Sequence, residues 1–403
     1  MLTSKYSNIK INVFSFLLII LVFIPKIDLI NIIGYWQGIR LEDLILLIIA
    51  GQLIVDRNSI ILKANYQYKD AFIIITYMLV SNIIGHISGL SILVMVMLRF
   101  IEYLILIIFL NKLSITENFL KKLSIVYILV NVLFIILQKF DLIGVFSSLG
   151  YLGTDHPMNV RAIGITGGSW ELGVLSVLCF FIYFRFEKNK IKIFLLYTLT
   201  IALLILAESR GNFVAFMIVT TLFLIKVTFS KSSGVKNSLI ILALIGFGYF
   251  ITPILIESNL LVIRRMKGIN ILEIYELIKN FALYNSVPDV RGIPTWSPDL
   301  LSFIWRLNLW TEIYAEFKTN IFTQIFGTGM VRVYVDSLWI RVWLMTGYLG
   351  IFLTVYMSRK LNIFHFLFFL IASFSLDLFI SFKIVLLSLL LYIKVDKTNE
   401  NSN

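Results

Sequence analysis

The chain has 403 residues, 59% of them hydrophobic and only 14% charged, with a mean hydropathy of +0.92 and a net charge of +12. Soluble globules carry roughly 45–50% apolar and about 25% charged residues, so this composition excludes a water-soluble fold and specifies an all-α polytopic membrane protein. A single cysteine, Cys179, excludes an internal disulfide, and with only three histidines there is no set for a structural zinc. Most basic residues lie in short loops beside apolar runs, where they fix orientation and meet anionic headgroups, which argues against a nucleic-acid partner.

A bilayer core needs about 20 mostly apolar residues per helix, with about 17 tolerated. That measure predicts about twelve transmembrane helices. The first covers 11–24 and, lacking a small-residue cleavage site, reads as a retained helix. The next eight cover 41–55, 71–87, 90–110, 123–138, 169–184, 193–207, 212–227 and 238–256, and the last three cover 337–357, 361–374 and 378–393. The chain thus divides into 1–256 with nine helices, a long extracytoplasmic loop over 257–336, and 337–403 with three helices and a cytoplasmic tail. With the N-terminus inside, nineteen lysines and arginines fall on its side, against Lys26, Arg40, Lys139, Arg161 and Arg210 in the short opposite loops. This asymmetry predicts both termini in the cytoplasm.

Two outer segments exceed an ordinary turn. The first, 139–168, contains Asp155, His156, Pro157 and Arg161. The second, 257–336, carries Arg264, Arg265, Lys267, Lys279, Arg291, Arg306, Lys318 and Arg332 against an equal number of acids, and these cations on the outer side predict an anionic partner. Within it, 269–278 and 300–317 read as amphipathic helices, the latter with Trp305 and Trp310 suited to the headgroup zone. No internal repeat stands out, which argues against a transporter built of duplicated halves.

Several residues can carry chemistry. The stretch from Arg161 through Gly164, Gly167 and Gly168 to Glu171 combines a phosphate-matching guanidinium, backbone able to approach a ligand, and a carboxylate about one turn inside the sixth helix. Its bland alternative is a flexible helix start with an acid at a helix N-terminus. Glu208-Ser209-Arg210-Gly211 packs an acid, a hydroxyl and a guanidinium into a tight outer turn, which positions Arg210 better than a long loop would. Arg99 and Glu102 share one face of the fourth helix and read as a structural ion pair. Lys383 and Arg341 also sit within spans. No metal-ligating spacing and no Asp-x-Asp occurs.

Taken in order, these residues resemble the bacterial O-antigen polymerase and ligase superfamily. The resemblance rests on Ile39-Arg-Leu-Glu-Asp43, Arg161 with Gly164 and the following Gly-Ser-Trp-Glu171, Glu208-Ser-Arg-Gly211, Phe326-Gly-Thr-Gly329, Asp336-Ser-Leu and Gly347-Tyr-Leu-Gly350. It implies a GT-C-like membrane glycosyltransferase of the inner membrane, with its active site facing the periplasm. The enzyme would need no metal or other cofactor. Its partners would be a polyprenyl-diphosphate-linked donor and acceptor, membrane lipids and a chain-length regulator. Asp336 stands where ligases usually show a histidine, which favours a polymerase. On this reading Arg210, Glu171 and Asp336 are the catalytic candidates, and Arg161, Arg210, Arg264, Arg265 and Arg291 hold the diphosphate. The alternatives are a lipid-linked oligosaccharide flippase and an O-antigen ligase.

Overall fold

The computed structural model describes residues 14–30, 39–55, 68–87, 94–113, 115–147, 150–153, 163–228, 320–329, 337–358, 361–373, 381–393 and 395, with isolated positions between 275 and 317. Eleven of the twelve predicted apolar segments form helices: α1 (Phe14–Phe23), α2 (Leu41–Val55), α3 (Lys69–Ile87), α4 (Val94–Leu110), α5 (Glu117–Lys139), α6 (Ser169–Phe186), α7 (Lys190–Leu206) and α8 (Arg210–Thr228), then, after the short α9 (Ile321–Phe326), α10 (Leu338–Ser358), α11 (Ile363–Ala372) and α12 (Phe382–Leu391). The segment 238–256 lies outside the described residues. Among those described, α3, α5, α6 and residues Leu338–Tyr356 of α10 are long and apolar enough to cross a membrane; α1, α11 and α12 are shorter apolar helices. The protein is a helical membrane protein.

The helices start where the sequence supplies caps. Thr116, Asn189, Asn362 and Ser381 each accept a backbone N–H from the first turn of α5, α7, α11 and α12, satisfying donors that have no intrahelical partner. Two small antiparallel ribbons depart from the all-α expectation. One pairs β1 (Asp28–Ile30) with β2 (Ile39–Arg40), and the other pairs β3 (Val145–Ser147) with β4 (Gly150–Leu152). Both occupy predicted outer loops, where chain ends held close by flanking helices pair their backbone groups rather than leave them unsatisfied.

The sixth helix is the hub. It packs against α5, α7, α8 and α12, and its residues from Leu172 to Tyr183 are buried throughout. A helix apolar on every side has no solvent face to present and belongs at the centre of an assembly. Phe180 meets Phe216 edge-on at 5.3 Å and Phe181 meets Phe368 at 5.6 Å, which ties α6 to α8 and α11. On the other flank α12 also packs on α4, which carries α2 and α3 with it. The periphery stays apolar: Leu47, Ile48 and Ile54 of α2 and Leu129, Leu133 and Ile136 of α5 are exposed, as lipid-facing positions must be.

The tenth helix is broken at Gly347, whose φ of 66° is left-handed. The break frees three carbonyls, and each is recaptured. Leu344 O accepts from Thr328 N–H at 2.9 Å, Met345 O from Gly329 N–H at 3.1 Å and Ser81 Oγ at 2.5 Å, and Thr346 O from Tyr77 Oη at 3.1 Å. A discontinuous helix survives in an apolar setting only when its backbone is satisfied in this way. The Phe326-Gly-Thr-Gly329 stretch is therefore a docking loop for α10.

The described positions between 304 and 317 match the predicted amphipathic helix. Ile304, Leu307, Trp310 and Phe317 are buried while Asn308 is exposed, and Phe317 packs 5.0 Å from the ring of Trp343 on α10. Trp310 is thus packed against protein. Trp305 and the rest of 257–303 fall outside the described residues, apart from Tyr275, Glu276 and Lys279.

Gly347→Ala places a methyl group 2.3 Å from Ile325 O at a left-handed position. A non-glycine residue held in such backbone costs on the order of 1–3 kcal/mol. Thermal unfolding in detergent should show a clearly lowered melting temperature for this variant. Gly51→Ala, where nothing lies within 4 Å, should melt like the parent or slightly higher.

Candidate functional site

The N-termini of α2, α6, α8 and α12 gather at one end of the bundle with the C-terminus of α5. The first turn of α2 supplies the first part of the site. Arg40 N–H donates to Asp43 Oδ2 at 2.7 Å, the acid three residues into the helix reaching back to cap it. Arg40 Nη1 donates to Glu42 Oε1 at 3.2 Å. From α4, Arg99 grips both oxygens of Asp43 at 2.5 and 3.2 Å and reaches Glu102 Oε2 at 2.7 Å. Arg40 and Arg99 are 2% and 4% exposed, so these charges sit out of reach of water. The predicted Arg99–Glu102 pair is present, but its principal partner is Asp43 on another helix.

Glu171 occupies the first turn of α6, where a carboxylate is favoured by the helix dipole. It is 2% exposed, accepts from Gly167 N–H at 2.9 Å and from Ser381 Oγ at the start of α12, and feels Lys26 and Lys383 electrostatically. Lys383 is itself 2% exposed, and its ammonium makes no hydrogen bond among the described residues; Glu171 and Glu42 are its neighbouring anions.

The loop leading to Glu171 is held by two polar residues of α5 that sequence reasoning passed over. Gln138 Oε1 accepts from the N–H groups of Ile163 and Gly164, both at 2.9 Å, while its Nε2 donates to Gly144 O and Gly164 O. Asn131 Oδ1 accepts from Ile165 N–H at 3.1 Å. Their spacing of seven puts both on one face of α5, and an amide pair at that spacing inside an apolar helix was the available signal. Gly164 has φ 61°, and a methyl group there would meet Asn131 Oδ1 at 2.3 Å; one at Gly167 would meet Lys26 Cδ at 2.6 Å. The glycines expected to admit a ligand admit protein side chains.

The turn from α7 into α8 closes the site. Glu208 adopts φ 56° and pairs with Lys139 at 3.1 Å, and Arg210 N–H donates to Glu208 O at 3.1 Å. Asn212 Nδ2 donates to Ser209 Oγ at 2.9 Å and to Trp170 O, in the first turn of α6, at 2.8 Å. Gly173 is the floor on which Ser209 and Asn212 rest, since a methyl group there would lie 2.3 Å from Ser209 Oγ. Arg210, half-buried, is therefore anchored beside the turn that carries Glu171. Arg161, Arg264, Arg265, Arg291 and Asp336 lie outside the described residues. Arg341 of α10 is 8% exposed and acts electrostatically on Tyr103, as Arg40, Arg99 and Glu102 do.

Among the described residues this end thus holds Lys26, Arg40, Arg99, Lys139, Arg210, Arg341 and Lys383 among Glu42, Asp43, Glu102, Asp141, Glu171 and Glu208, with helix N-termini adding positive potential. Arg210 and Lys383 stand in the first turns of α8 and α12, where a cation opposes the dipole. The helix dipole does not account for them; Lys383 stands beside Glu171 and Glu42. No family model matches the chain and no curated protein matches it.

Arg99→Met should be severely destabilising, by about 3–5 kcal/mol, because it leaves Asp43 and Glu102 buried without their counter-charge. The triple variant Asp43→Asn/Arg99→Met/Glu102→Gln should recover part of that loss. Melting temperature and monodispersity in detergent measure both.

Proposed function

We propose that the protein is a polysaccharide polymerase of the inner membrane, transferring a growing glycan from polyprenyl diphosphate onto a polyprenyl-diphosphate-linked repeat unit. The observation that carries this reading is the gathering of cations and helix N-termini at one end of the bundle, with Arg210 and Lys383 opposing the dipoles of two helices that both dock on the first turn of α6. The full topology belongs to the same proposal: about twelve spans in a GT-C-like arrangement, both termini cytoplasmic and this end periplasmic. The motif order in the sequence supports it, as do Arg264, Arg265 and Arg291 in the stretch 257–336, which the proposed topology puts on the same side.

In this reading the bond between the donor's anomeric carbon and its diphosphate oxygen breaks while the acceptor hydroxyl oxygen attacks from the opposite face, inverting the centre. The departing diphosphate accumulates negative charge that fixed guanidinium groups stabilise. Arg210 is the first of these, joined by Arg161, Arg264, Arg265 and Arg291. The hydroxyl proton passes to a carboxylate. Both oxygens of Glu171 already accept hydrogen bonds from the protein, so Glu171 serves to position the loop and the start of α12, and Asp336 is the better base. The polyprenyl chains lie along apolar helix surfaces.

The test is to incubate purified protein with one diphosphate-lipid-linked repeat unit and neither nucleotide nor metal. A ladder of longer glycans is the expected product, whereas translocation without ladders would indicate a flippase, and transfer requiring a different lipid acceptor would indicate a ligase. Arg210→Ala should insert and fold normally yet lower the rate by about 10²–10³-fold, the typical cost of removing one preorganised charge donor. An intact ladder from that variant would remove Arg210 from the reaction.

A further inference from the structure

A cavity of about 1030 Å³ opens at the opposite end of α6, between α6, α7, α8, α11 and α12. Glu171 and Arg185 are fourteen residues apart on that helix, which separates the two regions by about 21 Å at 1.5 Å per residue. The cavity matches the upper end of the roughly 300–1,000 Å³ range of small-molecule sites. Its walls include Phe180, Phe184, Phe223 and Val219. Phe184 stacks on Phe180 at 5.9 Å and meets Phe223 edge-on at 5.4 Å, so the wall is braced by its own rings.

Three cations line the same cavity: Arg185, Lys190 and Lys226. None forms an ion pair among the described residues. Arg185 donates to Leu391 O and lies 4.7 Å from the Phe186 ring, and Lys226 lies 5.3 Å from the Phe364 ring. The nearest acid in sequence, Glu187, is engaged elsewhere. It accepts from Asn189 and Lys188 N–H at 2.9 and 3.0 Å and from Tyr183 Oη, faces Lys121 at 3.9 Å, and is held below the ordinary carboxylate range chiefly by the Asn189 N–H. Glu117 acts on Arg185 electrostatically without pairing with it. An apolar chamber whose polar rim is cationic, with no paired carboxylate among the described residues, is complementary to an amphiphile with an anionic head.

We propose that this cavity binds an anionic phospholipid, its phosphate held by Arg185, Lys190 and Lys226 and an acyl chain lying among the phenylalanines. The site is independent of the proposed glycan chemistry. Lipid here fills the space between α7, α8 and α11 and neutralises three clustered cations at the membrane surface.

The experiment uses the full chain purified in detergent and mixed with phosphatidylglycerol, with zwitterionic phosphatidylethanolamine, or with inorganic phosphate, retained molecules being counted by native mass spectrometry. Phosphatidylglycerol should be held through detergent exchange, phosphatidylethanolamine should be lost, and inorganic phosphate should neither bind nor displace the lipid. Lys190→Ala/Lys226→Ala alters two exposed side chains, so the protein should remain folded while affinity falls by about five-fold for each cation removed. Val219→Trp fills the chamber and should abolish retention with all three cations intact. Equal retention of the two lipids, displacement by inorganic phosphate, or unchanged retention in both variants would each overturn the proposal.

Discussion

Moving charge out of water is among the most expensive operations in protein folding, and this molecule does it repeatedly at one end of an apolar bundle. Arg99 makes it tenable by bridging Asp43 on a neighbouring helix and Glu102 on its own, with both terminal nitrogens on the Asp43 carboxylate. A planar guanidinium is the one side chain whose fork can match a carboxylate in this way and still reach a second acid. Because Asp43 also caps α2, a single arginine fixes the start of α2 and its docking on α4.

Backbone polarity is handled by the same logic. The break at Gly347 exposes three carbonyls of α10, which the 327–329 loop and the Ser81 and Tyr77 hydroxyls of α3 satisfy one by one. The close approach needs glycine on both sides: Gly85 on α3 has Thr328 O so near that a methyl group would lie 2.1 Å from it. Helix break, loop and neighbouring helix thus form one interlocked unit, in which the break draws its backbone partners from the other two.

The bundle is electrically asymmetric along α6. One end gathers carboxylates, cations and several helix N-termini in a largely buried network. The other presents three cations around an aromatic chamber, with their acid neighbour turned away. The sixth helix, buried from Leu172 to Tyr183, separates the two ends.

The sequence by itself determined the class of fold and where eleven apolar helices fall among the described residues, because burying backbone in lipid demands long apolar runs, and that requirement is written locally. It also singled out the 208–211 turn, Glu171 and the Arg99–Glu102 pair, since polar residues are conspicuous in apolar runs. Only the tertiary structure decided what those residues do. Glu171 joins Ser381 across 210 positions of chain, Arg99 takes Asp43 across 56, and the glycines before α6 accommodate Asn131 and Lys26. The two β-ribbons and the break at Gly347 were likewise hidden. Hydropathy reports how each segment meets its solvent, whereas partner choice among buried charges depends on which helix ends converge, and no local pattern encodes that.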